Sequence, residues 1–88
     1  MDTATSSNFS RQVLAAVLDA ARQAHGGDVD ADLDPISAGF DSIAAVEMAG
    51  ILEEAFDVEC TMVDVFDVTS LGELADLLVQ RIDAASGR

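Results

Sequence analysis

Apolar residues recur at Phe9, Val13, Leu14, Val17, Leu18 and Ala21, the three-and-four spacing of one buried helical face. The spacing predicts a first helix over Asn8 to His25, stopped by Gly26-Gly27. From Gly26 to Phe40 the pattern dissolves into Gly, Asp, Pro35 and Gly39, with Val29, Leu33 and Ile36 as widely spaced apolar anchors. This stretch reads as a long ordered loop. A connection longer than about a dozen residues in a compact domain is usually functional, and this one delivers Asp41-Ser42. Ser42 to Phe56 mixes Ile43, Val46, Ala49, Ile51, Leu52, Ala55 and Phe56 with Glu47, Glu53 and Glu54, which predicts a second helix with a broad apolar side and an acidic flank. Asp57 to Thr61 breaks the pattern. Thr61 is placed to cap a short helix through Met62, Val63 and Phe66, ended by Asp67-Val68-Thr69. Ser70 and Glu73 have the spacing of a capping box, and Leu71, Leu74, Leu78 and Ile82 follow on one face, predicting a last helix.

Three substantial amphipathic helices and one short one, joined by one long loop and two tight ones, predict an all-α four-helix bundle. Val58 to Cys60 is too short to compete as a strand. Residues 1–8 and 84–88 are small and polar and read as flexible ends around a domain at 9–83. No internal repeat is visible.

Composition narrows the function. A chain of 88 residues builds a thin core, with little protein to wall a deep catalytic cleft, so a role that borrows chemistry from partners is favoured. Seventeen acidic residues against four arginines and no lysine give a formal charge of −13. Such a surface repels nucleic-acid phosphates and anionic lipid, and its complement is a basic protein partner. No apolar run is long enough to span a bilayer. Cys60 stands alone, so no internal disulfide forms, and no signal peptide is apparent; a cytoplasmic monomer is expected.

The segment Gly39-Phe40-Asp41-Ser42-Ile43-Ala44-Ala45-Val46-Glu47-Met48, followed by Leu52-Glu53-Glu54-Ala55-Phe56, resembles the attachment-site signature of acyl carrier proteins. That signature runs Asp-Ser-Leu/Ile, Val-Glu-Leu/Met, Leu-Glu-Glu, Phe. The helix order is similar to that family over residues 9 to 83. The resemblance implies a four-helix acyl-carrier-like bundle in which Ser42, beside Asp41, takes a covalent 4'-phosphopantetheine from coenzyme A. A magnesium-dependent phosphopantetheinyl transferase makes that transfer. The arm's thiol then holds acyl cargo as a thioester, so the chain itself is a non-catalytic carrier. Its further partners are acyl-loading, ketosynthase and other cargo-processing enzymes with basic docking surfaces. The resemblance also places Ile43, Glu47 and Met48, with Glu53 and Glu54, on the face presented to those partners.

Each position has a plainer alternative. A serine at a helix start is ordinarily an N-cap, a role open equally to Asp41. Met48 has a core alternative, with Glu47 merely solvated. Gly50 departs from the family, where a larger side chain is common, and glycine inside a helix costs about 1 kcal/mol relative to alanine, which points to a packing or binding reason. Cys60 falls where the family has a buried aliphatic residue, and a core role is expected for it. His25, at the end of the first helix, is placed to meet the last carbonyls and is assigned no function. Asp28, Asp30, Asp32 and Asp34 alternate like a calcium loop, but the sixth position from Asp28 is Leu33 and the twelfth is Gly39, and the sixth from Asp30 is Pro35.

The leading expectation is a discrete carrier of polyketide or related natural-product biosynthesis. It rests on Asp41 directly before Ser42, on the acidic second helix, on Asp64-Val65-Phe66-Asp67 ahead of Thr69-Ser70-Leu71, and on the chain's own Met1 and Arg88 as ends. The alternatives are an aminoacyl or peptidyl carrier, whose lead-in is more often Gly-Gly-x-Ser, and an unmodified acidic helical adaptor.

Overall fold

The computed structural model describes residues 2–86, with side chains over 8–85. Four helices follow in order: α1 (Asp2–His25), α2 (Ser42–Phe56), α3 (Met62–Asp67) and α4 (Leu71–Ser86). The described residues contain no strand, and the all-α expectation holds. α1 starts six residues before its predicted beginning at Asn8. Apolar spacing does not reveal such an extension, because a helix already nucleated propagates through its backbone hydrogen bonds. α4 likewise runs past residue 83 to Ser86. Of the ends expected to be flexible, residues 1–8 and 84–88, Met1, Gly87 and Arg88 lie outside the described residues.

α1 packs against both α2 and α4, and α3 packs on α2. The core draws Val13, Val17, Ala20 and Ala21 from α1, Ala45, Met48 and Leu52 from α2, Val65 from α3, and Leu71, Leu74 and Leu78 from α4. Alanines at several of these contacts let the helix backbones approach closely. Among the described residues no polar or charged side chain is buried, so the core is held by apolar contact alone. Cys60 closes it between α2 and α3, 2% exposed, and burial first, then the charge of Asp64, pushes its thiol up to about 11.

The residues 26–41 form an ordered loop built from consecutive turns. Asp30 Oδ1 accepts the N–H of Asp32 at 3.0 Å, and Asp34 Oδ1 accepts the N–H of Ile36 at 3.0 Å. Two of the alternating aspartates therefore make side-chain-to-backbone turns. Pro35 is fully buried, and Phe40 stacks on His25 with ring centroids 4.5 Å apart, closing the two ends of the loop on each other. His25 is thus a stacking partner rather than a cap for helix carbonyls. The middle of the loop is tied to α4: Leu71 N–H donates to the carbonyl of Leu33 at 2.9 Å and Gly72 N–H to that of Ala31 at 2.8 Å. A Cβ on Gly72 would lie 3.2 Å from the Ala31 oxygen, so this close approach is made possible by the missing side chain.

These two bonds satisfy the first two N–H groups of α4, and Ser70 Oγ accepts the third, from Glu73, at 3.1 Å. The capping box is only half formed, because the Glu73 carboxylate reaches past Ser70 to the backbone N–H and hydroxyl of Thr69. Those bonds hold Glu73 below the ordinary glutamate range. α3 has the complete box, with Thr61 Oγ1 accepting from Asp64 N–H and the Asp64 carboxylate accepting from Thr61 N–H.

Arg81 of α4 closes the other side of the bundle. Its guanidinium donates to both Asp64 oxygens, at 2.7 and 3.1 Å, and to the Glu59 carbonyl at 2.9 Å. The fork fixes α3 and the turn before it to α4. The hydrogen bonds from Arg81 lower the Asp64 pKa from its ordinary 3.8. A depressed folded-state value means that the unfolded chain binds the proton more readily, so the contribution is complete at neutral pH and is lost as pH falls below about 4. Arg81→Ala is expected to cost about 1–2 kcal/mol in urea unfolding at pH 7 and to flatten the acid side of the stability profile, measured by repeating the titration between pH 3 and pH 7.

Candidate functional site

Phe40, packed on His25, is the last anchored residue of the loop. The next residue, Asp41, leaves the loop in extended conformation (φ −96°, ψ 179°) and acts as the N-cap of α2, its Oδ1 accepting the N–H of Ala44 at 2.8 Å. Ser42 is then the first residue of the helix, and it is exposed. The capping role open to both residues falls to Asp41. Ser42 makes none of the side-chain hydrogen bonds found among the described residues, which leaves its hydroxyl facing solvent at the helix start. The first N–H groups of a helix, here those of Ser42 and Ile43, have no intrahelical acceptor. Together with the helix dipole they favour a phosphate ester at this hydroxyl, offsetting the nearby negative charge of Asp41.

Beside Ser42 lies a shallow depression lined by Ile43, Val46 and Glu47, with almost wholly apolar walls. Ile43 is 77% exposed and Val46 55%. Large apolar side chains left in water next to a free hydroxyl are more informative than any exposed charge in this chain. A roomier cleft between α1, the loop and α4 is lined by Arg11, Leu14, Asp32, Glu73 and Asp76 and shares no residue with this one. It presents mixed charges and lies away from the start of α2.

The expected partner face divides. Ile43 and Glu47 are exposed on the same side as Ser42, and Glu54 is exposed one turn beyond Gly50. Met48 is corrected: it is fully buried between α1 and α2, because the helical turn that exposes Glu47 carries the next residue about 100° around the axis toward the core. It belongs to the packing, not to the surface. Glu53 is exposed but engaged, its Oε2 accepting the N–H of Cys60 at 3.3 Å, which holds it toward the turn after α2. Gly50 has no packing reason, since a Cβ there would meet nothing within 4 Å. Val46, on the broad apolar side of α2, is exposed as well; the signal that separates it is the pair Ile43 and Val46 at i, i+3, offset from the core stripe Ala45, Met48, Leu52.

The phosphopantetheine attachment site family model matches residues 11–78. The chain belongs to this family. Comparison with curated proteins and with solved structures gave no match. Members carry covalently attached 4'-phosphopantetheine and are generally non-catalytic carriers, served by a phosphopantetheinyl transferase and by enzymes that process the cargo. Among the described residues no helix is long and apolar enough to cross a membrane. The exposed hydroxyl at the α2 start, with unpaired backbone N–H groups around it, is compatible with a phosphodiester.

The division of labour between Asp41 and Ser42 is measurable in the unmodified protein. Asp41→Ala is expected to lower stability by about 1 kcal/mol through loss of the cap, while Ser42→Ala changes it by less than about 0.5 kcal/mol, both read from urea midpoints.

Proposed function

We propose that Ser42 is the attachment residue and that the protein is an acyl carrier of a polyketide or related natural-product pathway. One observation carries the attachment reading. The cap of α2 is made by Asp41, so the neighbouring serine has no structural duty and its hydroxyl stands free at a helix start, within the part of the chain that matches the family. The arm supplies a thiol that holds cargo as a thioester. The protein's own residues have simpler tasks. Asp41 fixes the first turn of α2, the N–H groups of Ser42 and Ile43 face the phosphate position, and the Phe40–His25 stack holds the loop end that presents the hydroxyl. Cys60 does not compete as a thiol, because it is buried and its pKa is raised.

The acyl assignment is supported by Asp41 immediately before Ser42 and by the acidic exposed side of α2. The pathway assignment is supported by the Asp64-Val65-Phe66-Asp67 and Thr69-Ser70-Leu71 stretches. Partner enzymes would meet Ile43, Val46, Glu47 and Glu54, an apolar strip with acidic neighbours, which suits a basic docking surface with an apolar centre.

Incubation with a broad-specificity phosphopantetheinyl transferase, coenzyme A and magnesium is expected to add one arm to the wild type, read by intact mass, and none to Ser42→Ala. An arm on Ser42→Ala, or none on the folded wild type, overturns the attachment reading. Under native conditions, titration with a thiol reagent should find no fast-reacting thiol before the transfer and one after it. With the arm in place, loading by an acyltransferase and malonyl donor is expected. Loading only by an adenylating enzyme with an amino acid would make the protein an aminoacyl carrier instead.

A further inference from the structure

The thiol of Cys60 takes no part in the attachment chemistry, yet it lies under the turn that joins α2 to α3. Three successive backbone positions of that turn are each held by a charged side chain from a different helix. The Glu59 carbonyl accepts from Arg81 of α4 at 2.9 Å, the Cys60 N–H donates to Glu53 Oε2 of α2 at 3.3 Å, and the Thr61 N–H donates to Asp64 Oδ2 of α3 at 2.9 Å. The same Arg81 guanidinium forks onto Asp64, so it ties the turn and α3 together to α4. Apolar anchoring is slight by comparison: α3 has six residues, of which Val65 alone is buried and Val63 is 60% exposed. Segments with few buried contacts open locally at a lower cost than global unfolding. The turn and α3 therefore form a cover over Cys60 that Arg81 fastens.

We propose that this cover, fastened by Arg81, keeps Cys60 from taking acyl cargo off the arm on Ser42. The inference rests on Ser42 being the attachment residue of an acyl carrier. The transfer it prevents needs no co-reactant. The Cys60 thiolate attacks the thioester carbonyl, the bond from that carbon to the arm's sulfur breaks, and the departing sulfur takes up the proton that Cys60 released. One thioester replaces another, so protection comes from access and from thiolate supply. Distance does not prevent the transfer. Glu53, which holds the Cys60 N–H, is eleven residues beyond Ser42 on α2, about 16 Å along the axis. The arm runs through about thirteen bonds from phosphorus to sulfur, as many as four residues of main chain, and extends about 15 Å. The serine side chain adds to that reach. With the cover closed, Cys60 is 2% exposed, and burial, followed by the charge of Asp64, pushes its thiol up to about 11, which leaves almost no thiolate at neutral pH. Opening removes both barriers, and cargo moved to Cys60 has lost the arm that carries it between enzymes.

The sign of one effect separates a fastener from a purely electrostatic role. At the Cys60 sulfur the charge of Arg81 favours the thiolate, against Asp64 and Glu53, so its loss from an unmoved structure makes Cys60 less reactive. Loss of a fastener makes Cys60 more reactive. The test compares wild type with Arg81→Met, which keeps the apolar stem, with Arg81→Lys, which keeps the charge without the fork, and with Val13→Ala, a core truncation on α1. A further variant combines Arg81→Met with Cys60→Ala, and urea unfolding is measured on each. In the unmodified proteins, a thiol reagent is expected to label Cys60 on the order of tenfold faster in Arg81→Met than in wild type, with Arg81→Lys between the two. Val13→Ala should label within about twofold of wild type despite its lower urea midpoint, because α1 is not part of the cover. Each protein is then given an acetylated arm by a broad-specificity transferase with acetyl-coenzyme A and magnesium, and peptide masses locate the acetyl group over time. Acetyl is expected to reach Cys60 on the order of tenfold faster in Arg81→Met than in wild type, at a rate independent of protein concentration, and to stay on the arm in the double variant. If the wild type accepts the arm but Arg81 variants label no faster, Val13→Ala labels equally fast, or acetyl never moves to an accessible Cys60, the protective cover is refuted and the attachment reading stands. If the folded wild type accepts no arm, the attachment reading fails and the protective role fails with it.

Discussion

Two main-chain hydrogen bonds, from Leu71 and Gly72 to the carbonyls of Leu33 and Ala31, hold the loop that presents Ser42. They use donors that every helix start leaves without an intrahelical partner, and they spend them on a segment that has no secondary structure of its own. The loop thereby becomes part of the bundle. Its middle is fixed on α4, Pro35 is buried beneath it, and Phe40 stacks on His25 at the end of α1. Asp41 and Ser42 leave this frame with little freedom, and the cap at Ala44 N–H sets the start of α2. A hydroxyl on a flexible strand would lose conformational entropy on being ordered. Here the ordering is done by the fold.

The charged residues divide between a structural minority and a free majority. Asp64 is the centre of the first group: it completes the cap of α3 and receives the Arg81 fork, so one carboxylate serves a helix start and a helix-to-helix tie. Asp41, Glu73, Asp30 and Asp34 cap or turn the backbone, and Glu53 closes the turn after α2. Glu47 and Glu54 have no such duty. A reading based on net charge alone assigns the whole acidity to partners, whereas the geometry gives these six carboxylates to the fold itself.

The α2 helix shows how two demands are met by one short segment. Its core stripe is made of Ala44, Ala45, Met48, Ala49 and Leu52, mostly small, which lets α1 lie close. The other apolar stripe, Ile43 and Val46, is left in water beside Ser42. Nothing in the packing of this chain rewards that exposure, since leaving apolar area in water is unfavourable. The helix therefore has two apolar sides, one buried in its own fold and a second left exposed beside Ser42.

The number, order and type of the helices were legible in the sequence because apolar spacing and caps are local: α2 has its expected bounds, Thr61 caps α3 as expected, and the Asp41-Ser42 start was visible from its motif. The sequence by itself also determined that Ser42 begins a helix with acidic neighbours. Whether Met48 faces inward and whether Gly50 is crowded or open depend on where α1 and α3 lie against α2. Those were decided by tertiary structure. The same holds for Arg81 and Asp64, 17 residues apart on different helices, and for the loop carbonyls on α4. Periodicity reports how residues are arranged around one helix axis, but it carries no information about where the neighbouring axes lie. The surroundings of Ser42 are set by those neighbours.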